Sequence, residues 1–142
     1  MRRRTLLTAT AAAGPAALLT SLDEALAATP APTGTGLLDT RLAAARALFD
    51  AGAHRRLLSE LPGLLADAHV AARSRTSLDQ ARLSAVYSLA TAALIKLGAY
   101  DRAHLTADRA RTWAEVSSVL RQRSVGRSER VRRGFLPLSW SR

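Results

Sequence analysis

The chain contains no cysteine among its 142 residues. This absence excludes a disulfide framework, a thiol nucleophile and any zinc site that uses cysteine ligands. Aromatic residues make up only 4% of the chain, and the apolar residues are mostly Ala and Leu, which favours helices over strands. No apolar run of about 18 residues is free of breaks, so we expect no permanent membrane span.

Motifs for catalysis and cofactor binding are also missing. The sequence has no Gly-rich phosphate-binding loop, no His-Glu-x-x-His and no Gly-x-Ser-x-Gly. His104 and Asp108 are spaced to face the same side of a helix, but a metal site needs three or four ligands. We therefore predict no catalytic, cofactor or metal site, and we expect the three histidines to be exposed polar residues.

The net charge of +10 is concentrated near the C-terminus. Residues 37–118 carry eleven bases and eight acids, whereas residues 119–142 carry seven Arg and only Glu129. From residue 117 the sequence is rich in Arg and Ser and keeps no helical or strand period. We predict a disordered tail over 117–142 and no specific binding of nucleic acid by this chain.

The clearest helical pattern begins with Ser77 and Gln80, which fit a capping box. Apolar residues then recur at steps of three and four over residues 83–97, which predicts an amphipathic helix. Gly98 can end this helix, because Gly readily adopts the left-handed conformation. Small residues follow at helical spacing: Ala103, Ala107, Ala110 and Ala114. Such residues let another helix approach closely, so we predict an antiparallel helical hairpin.

A similar plan lies 46 residues upstream. One helix is predicted over residues 37–51 and ends at Gly52, and a second over residues 53–73 contains Pro62, which predicts a kink or a break. We therefore predict an all-α fold, in which two antiparallel helical hairpins over residues 37–116 pack as a short solenoid.

Two repeat units leave the last helix without a covering neighbour. Helical repeat arrays generally need about three units with capped ends. We therefore expect an uncovered apolar edge, which favours self-association and a protein or peptide partner.

The segment Leu97-Gly98-Ala99-Tyr100-Asp101-Arg102-Ala103, followed by Ala107 and Ala110, resembles the tetratricopeptide repeat. That family has Leu-Gly at the end of its first helix, an aromatic residue two positions after the Gly, and Ala where the second helix crosses the first. The match covers about one 34-residue unit. Tyr87 stands where Trp is usual, and Ala99 stands where an acid is usual.

Residues 47–66 resemble the region after the DNA-binding domain in actinobacterial XRE-type helix-turn-helix regulators. Those proteins continue through an Arg-Arg linker into helical repeats. The resemblance covers the linker and the first repeats only, so it implies a truncated regulator without its DNA-binding domain. The function that it implies is non-catalytic and cytoplasmic: transcriptional regulation through protein interaction or effector sensing.

Residues 1–36 are predicted to be a disordered leader, and two interpretations of it remain open. Arg3-Arg4-Thr5-Leu6-Leu7 resembles the twin-arginine export motif, and Ala25 and Ala27 have the spacing of a signal peptidase site. Cleavage after Ala27 would then give an exported helical protein. Gly14-Pro15 splits the apolar segment, however, and this favours an interdomain linker.

Overall fold

The computed structural model describes residues 14–27 and 37–134, with side chains up to residue 125. This part of the chain forms five helices and no strand, so the predicted all-α class is confirmed for it. The helices are α1 (Pro15–Ala27), α2 (Leu38–Asp50), α3 (His54–Ala72), α4 (Ser77–Lys96) and α5 (Tyr100–Gly134).

Helix α4 lies at the centre of the structure and contacts α2, α3 and α5. Its contact with α5 is the most extensive of all the helix pairs. Ala103 and Ala110 of α5 are buried, and Ser84 Oγ donates a hydrogen bond to the Ala110 carbonyl at 2.8 Å. Because small side chains face α4, its side chains reach the backbone of α5 directly.

The helical spacing of the apolar residues over residues 53–73 predicts one buried face on this helix, and the structure confirms it. All six of its predicted members are buried: Leu57, Leu58, Leu61, Leu64, Leu65 and Ala68. The helix continues through Pro62, so the alternative of a break near this residue is wrong. Pro62 has no N–H to donate to the preceding turn, but buried leucines on both sides of it hold the two halves of α3 in the core.

The prediction of a disordered leader is wrong for residues 15–27, which form α1 and pack on α3. Leu22 and Leu26 are buried in the common core. Arg102 of α5 donates two hydrogen bonds to Asp23, from Nε at 2.8 Å and from Nη2 at 2.7 Å. Apolar burial and this two-pronged ion pair therefore join α1 to the domain.

Several predicted features lie outside the described residues. They are the possible export motif of Arg3, Arg4, Leu6 and Leu7, the end of the predicted leader over 28–36, and the last eight residues of the predicted tail.

The prediction of a disordered tail is wrong for residues 117–134, because α5 continues as a helix to Gly134. Ser117 is buried, which extends the packed part of α5 beyond the predicted domain. Arg and Gln are good helix formers, and adding residues to an existing helix costs far less than starting a new one. The packed first half of α5 therefore nucleates the second half.

The start of α4 differs from the predicted capping box. Thr76 precedes the helix, and its Oγ1 accepts a hydrogen bond from the Asp79 backbone N–H at 3.1 Å. Asp79 Oδ2 in turn accepts hydrogen bonds from Thr76 Oγ1 at 2.6 Å and Ser74 Oγ at 2.5 Å. Gln80 instead turns inward, where its Nε2 donates to the Ala72 carbonyl at 2.8 Å.

The α2–α3 turn and the α4–α5 turn share three backbone hydrogen bonds at positions 46 residues apart. Gly52 and Gly98 have φ angles of 71° and 73°. Ala53 N–H donates to the Leu48 carbonyl at 2.9 Å, and Ala99 N–H donates to the Leu94 carbonyl at 3.0 Å. Each turn thus places Gly in the left-handed conformation that closes a helix C-terminus.

We expect Leu22→Ala to lower the free energy of unfolding by about 2–5 kcal/mol, because it opens a cavity in the core. The matched control is Leu37→Ala, since Leu37 is 79% exposed and its loss should change stability by less than about 0.5 kcal/mol. Urea unfolding followed by circular dichroism measures both. Equal stability of the two variants would show that α1 does not belong to the core.

We expect Gly98→Ala to destabilise the protein by about 1 kcal/mol, because Ala is strained at positive φ. An added Cβ would meet no atom within 4 Å, so the cost is conformational rather than steric. Gly14→Ala is the control, because Gly14 also has open space and does not have a left-handed φ. The same unfolding assay should show little change for the control, and an unchanged stability of Gly98→Ala would contradict the prediction.

Candidate functional site

A cleft lies between α3, α4 and α5, with Leu26 of α1 at one edge. Its volume is about 890 Å³, within the usual range for pockets that hold small molecules. We call it the arginine cleft. Its lining residues are Leu26, His69, Ala72, Arg73, Arg75, Gln80, Tyr87, Arg109, Thr112, Trp113, Val116 and Leu120.

His69 connects the cleft to the core. Its Nε2 lies 2.7 Å from the Tyr87 hydroxyl, and its ring meets the rings of Tyr87 and Trp113 edge-on at 5.7 Å and 6.0 Å between centres. Tyr87 is only 2% exposed, whereas His69 is half-buried. The expectation of exposed histidines is therefore wrong for His69, which the aromatic rings enclose, and for His54, which is half-buried against Phe49.

Both members of the hydrogen-bonded pair are neutral near pH 7. Burial lowers the pKa of His69 below its usual value, and the charges of Arg109 and Arg73 lower this pKa further. Burial raises the pKa of the Tyr87 hydroxyl. Two neutral groups thus share one hydrogen bond at the back of a positively charged cleft.

Arg109 is held in place by uncharged partners. Its Nη1 donates to the Leu26 carbonyl at 2.8 Å, and its Cζ lies 6.0 Å from the centre of the Tyr87 ring. Leu26 belongs to the last turn of α1, where carbonyls lack helical donors and the helix dipole is negative. Arg109 therefore joins the end of α1 to the wall of the cleft.

Arg73 and Arg75 lie in the segment that leaves α3, and both are exposed. Arg75 has a φ of 55° and is the only non-glycine residue with positive φ in the described chain. This conformation costs an L-residue about 1–2 kcal/mol. Arg73 and Arg75 thus line the same cleft as Arg109, and Arg75 does so from a left-handed backbone conformation.

No Asp or Glu lines the arginine cleft. The neighbouring acids have partners elsewhere: Asp79 binds Arg82, Asp108 binds Arg111 and Asp23 binds Arg102. Gln80 presents a further polar group, because its Oε1 is buried and has no hydrogen bond donor among the described residues. The cleft is thus positively charged, without a carboxylate in its wall to neutralise it.

The residues of the resembled repeat motif lie elsewhere. Leu97, Gly98 and Tyr100 are exposed at the turn between α4 and α5, while Ala103 and Ala110 are buried against α4 and Ala107 is half-buried. None of these residues lines the arginine cleft.

The other predicted residues also lie away from the cleft. Ala25 and Ala27 belong to the last turn of α1. Over residues 14–27 and 37–134, no three His, Asp or Glu side chains cluster as metal ligands, and no helix is long and apolar enough to cross a bilayer.

Local spacing did not indicate the cleft. His69 meets Tyr87 and Trp113, which lie 18 and 44 positions away on two other helices, so no spacing of three or four residues within one helix links them. One usable signal was composition, because Tyr87 and Trp113 belong to the few aromatic residues of an Ala-rich chain. Large rings on helices otherwise rich in small residues indicate a place where the helices are held apart.

No family model, curated protein or solved structure matches the chain.

We expect the free energy of unfolding to fall as the pH drops below about 6.5, the ordinary pKa of histidine. The unfolded chain binds a proton there that the folded His69 site resists, so folding loses stability until the pH reaches the folded pKa. His69→Gln should flatten this slope, whereas His104→Gln, at an exposed position, should keep it. An NMR titration that places the pKa of His69 at or above 6.5 would overturn this account.

Proposed function

We propose that this chain is a non-catalytic, tetratricopeptide-like domain of a cytoplasmic transcriptional regulator, in which two helical hairpins serve protein interaction or effector sensing. The two matching turns are the observation that carries the proposal. A repeated left-handed Gly with three shared backbone hydrogen bonds, 46 residues apart, supports two copies of one structural unit.

Packing on both sides of the second turn supports the same proposal. Ala103 and Ala110 of α5 take positions equivalent to Leu57 and Leu64 of α3, and all four are buried. Thr106, also fully buried, accepts a hydrogen bond from Thr91 of α4 at 2.8 Å. The small or internally bonded side chains of α5 suit the close crossing that the tetratricopeptide repeat uses, whereas α3 carries Leu at the equivalent positions.

Two surfaces suit the two parts of the proposed role. The arginine cleft is a concave site for an effector. The α4–α5 turn carries several exposed apolar side chains, namely Ile95, Leu97 and Tyr100, with Leu105 one turn further along α5. In a repeat array the next unit or a partner would cover them, and a second copy of the chain would also suit.

A catalytic role has less support. Tyr87 is the best-placed reactive hydroxyl, but it is 2% exposed and bonded to His69. The hydroxyl is therefore already paired with His69, and burial, which raises its pKa, keeps it protonated.

The alternative is an exported helical protein with a twin-arginine signal. Ala25 and Ala27 have the spacing that such a signal needs. Cleavage after Ala27, however, would remove Leu22 and Leu26 from the core and the acceptor of Arg109 from the cleft. This loss favours the regulator proposal over the exported one.

The native N-terminus distinguishes the two proposals. We expect mass spectrometry of fractionated cells to find the product in the cytoplasm with α1 intact. A product that begins at Ala28 outside the cytoplasm would instead establish export and overturn the regulator proposal.

A further inference from the structure

We propose that the arginine cleft binds a small organic anion, with a carboxylate or phosphate head and an apolar body. This deepens the effector-sensing role proposed above and rests on it for its biological meaning. Binding itself is measurable whether or not the chain belongs to a regulator.

The charge of the cleft selects the sign of the ligand. Arg73, Arg75 and Arg109 line one cavity without an acidic neighbour in its wall. Their mutual repulsion is relieved when a carboxylate or phosphate enters, and guanidinium groups bind both heads in a two-pronged geometry. Metal cations and ammonium ligands are repelled for the same reason.

The other wall selects an apolar body. Trp113, Val116 and Leu120 of α5 and Leu26 of α1 supply apolar surface. Val116 is 37% exposed, so part of this surface faces solvent in the unliganded protein. A ligand that covers it gains burial free energy, which a bare inorganic ion cannot obtain.

Size favours a small molecule over a macromolecule. The volume of about 890 Å³ matches a single compact ligand rather than an extended chain. Another cavity, between α2 and α3, is about half as large at 450 Å³. Its lining includes Arg56 together with Glu60, and Arg41, which is ion-paired with Asp67. The combination of excess positive charge and an aromatic wall distinguishes the arginine cleft.

The test uses the full chain with Trp140→Phe, which leaves Trp113 as the one indole and makes its fluorescence a local reporter. The probes share one chain length and are used below their micelle concentrations: octanoate, octyl phosphate, octanol and octylammonium, with inorganic phosphate as the bare head. We expect saturable changes for octanoate or octyl phosphate and much weaker ones for the other three.

Paired variants assign the binding to the cleft. Arg73→Gln with Arg75→Gln should weaken binding of the octyl anion about tenfold or more, the usual effect of losing charge-assisted hydrogen bonds. Arg46→Gln with Arg55→Gln removes the same charge from two exposed positions outside the cleft and should leave the affinity unchanged. Circular dichroism and urea unfolding confirm that each variant is folded.

Three results would each contradict the proposed ligand class. Equal binding of octanoate and octylammonium, or equal weakening by both pairs of substitutions, would overturn the proposal. So would binding of a heptaglutamate peptide without binding of either octyl anion, because the occupant would then be an acidic peptide. None of these results depends on the cellular location or the N-terminus, which test the regulator proposal.

Discussion

Burial of α4 on several sides is the constraint on which the rest of the structure depends. Its buried residues spread around the helix, because α3 and α5 pack on different sides of it and α2 touches it as well. Each fully buried Leu contributes about 1.5–3 kcal/mol relative to an exposed one. Since α4 supplies Tyr87 to the cleft and receives Ala103 and Ala110 from α5, the site and the turn both depend on this helix.

Apolar spacing and the conformational preferences of single residues predict the features that depend on contacts between residues close in sequence. The six buried residues of α3 follow from their spacing, and the two glycine turns follow from conformational preference. The sequence predicts the cap of α4 at Ser77, one residue later than the observed cap at Thr76. Thr76, Ser77 and Asp79 all favour a cap, and the folded backbone determines which of them serves. Helix boundaries are therefore hard to predict where neighbouring residues are nearly equal in their preference for the cap position.

The features that spacing did not predict are those that depend on distant contacts. Helix α1 has the composition of a signal segment. It joins the domain because Leu22 is buried in the common core and Asp23 accepts hydrogen bonds from Arg102, 79 positions away. The sequence around His69 predicts an ordinary surface residue, whereas in the folded protein Tyr87 and Trp113 enclose its ring. The helical fold was thus largely predictable, whereas the arginine cleft required the assembled tertiary structure.

The uncompensated guanidinium groups of the cleft also affect how the protein should be handled. Any folded-state site that attracts anions is filled in part by the buffer, and a bound ion raises the apparent stability by mass action. Sulfate or phosphate in a purification or crystallisation solution would therefore compete with a natural ligand for Arg73, Arg75 and Arg109. Melting temperatures of this protein are comparable only between solutions of the same salt and anion composition.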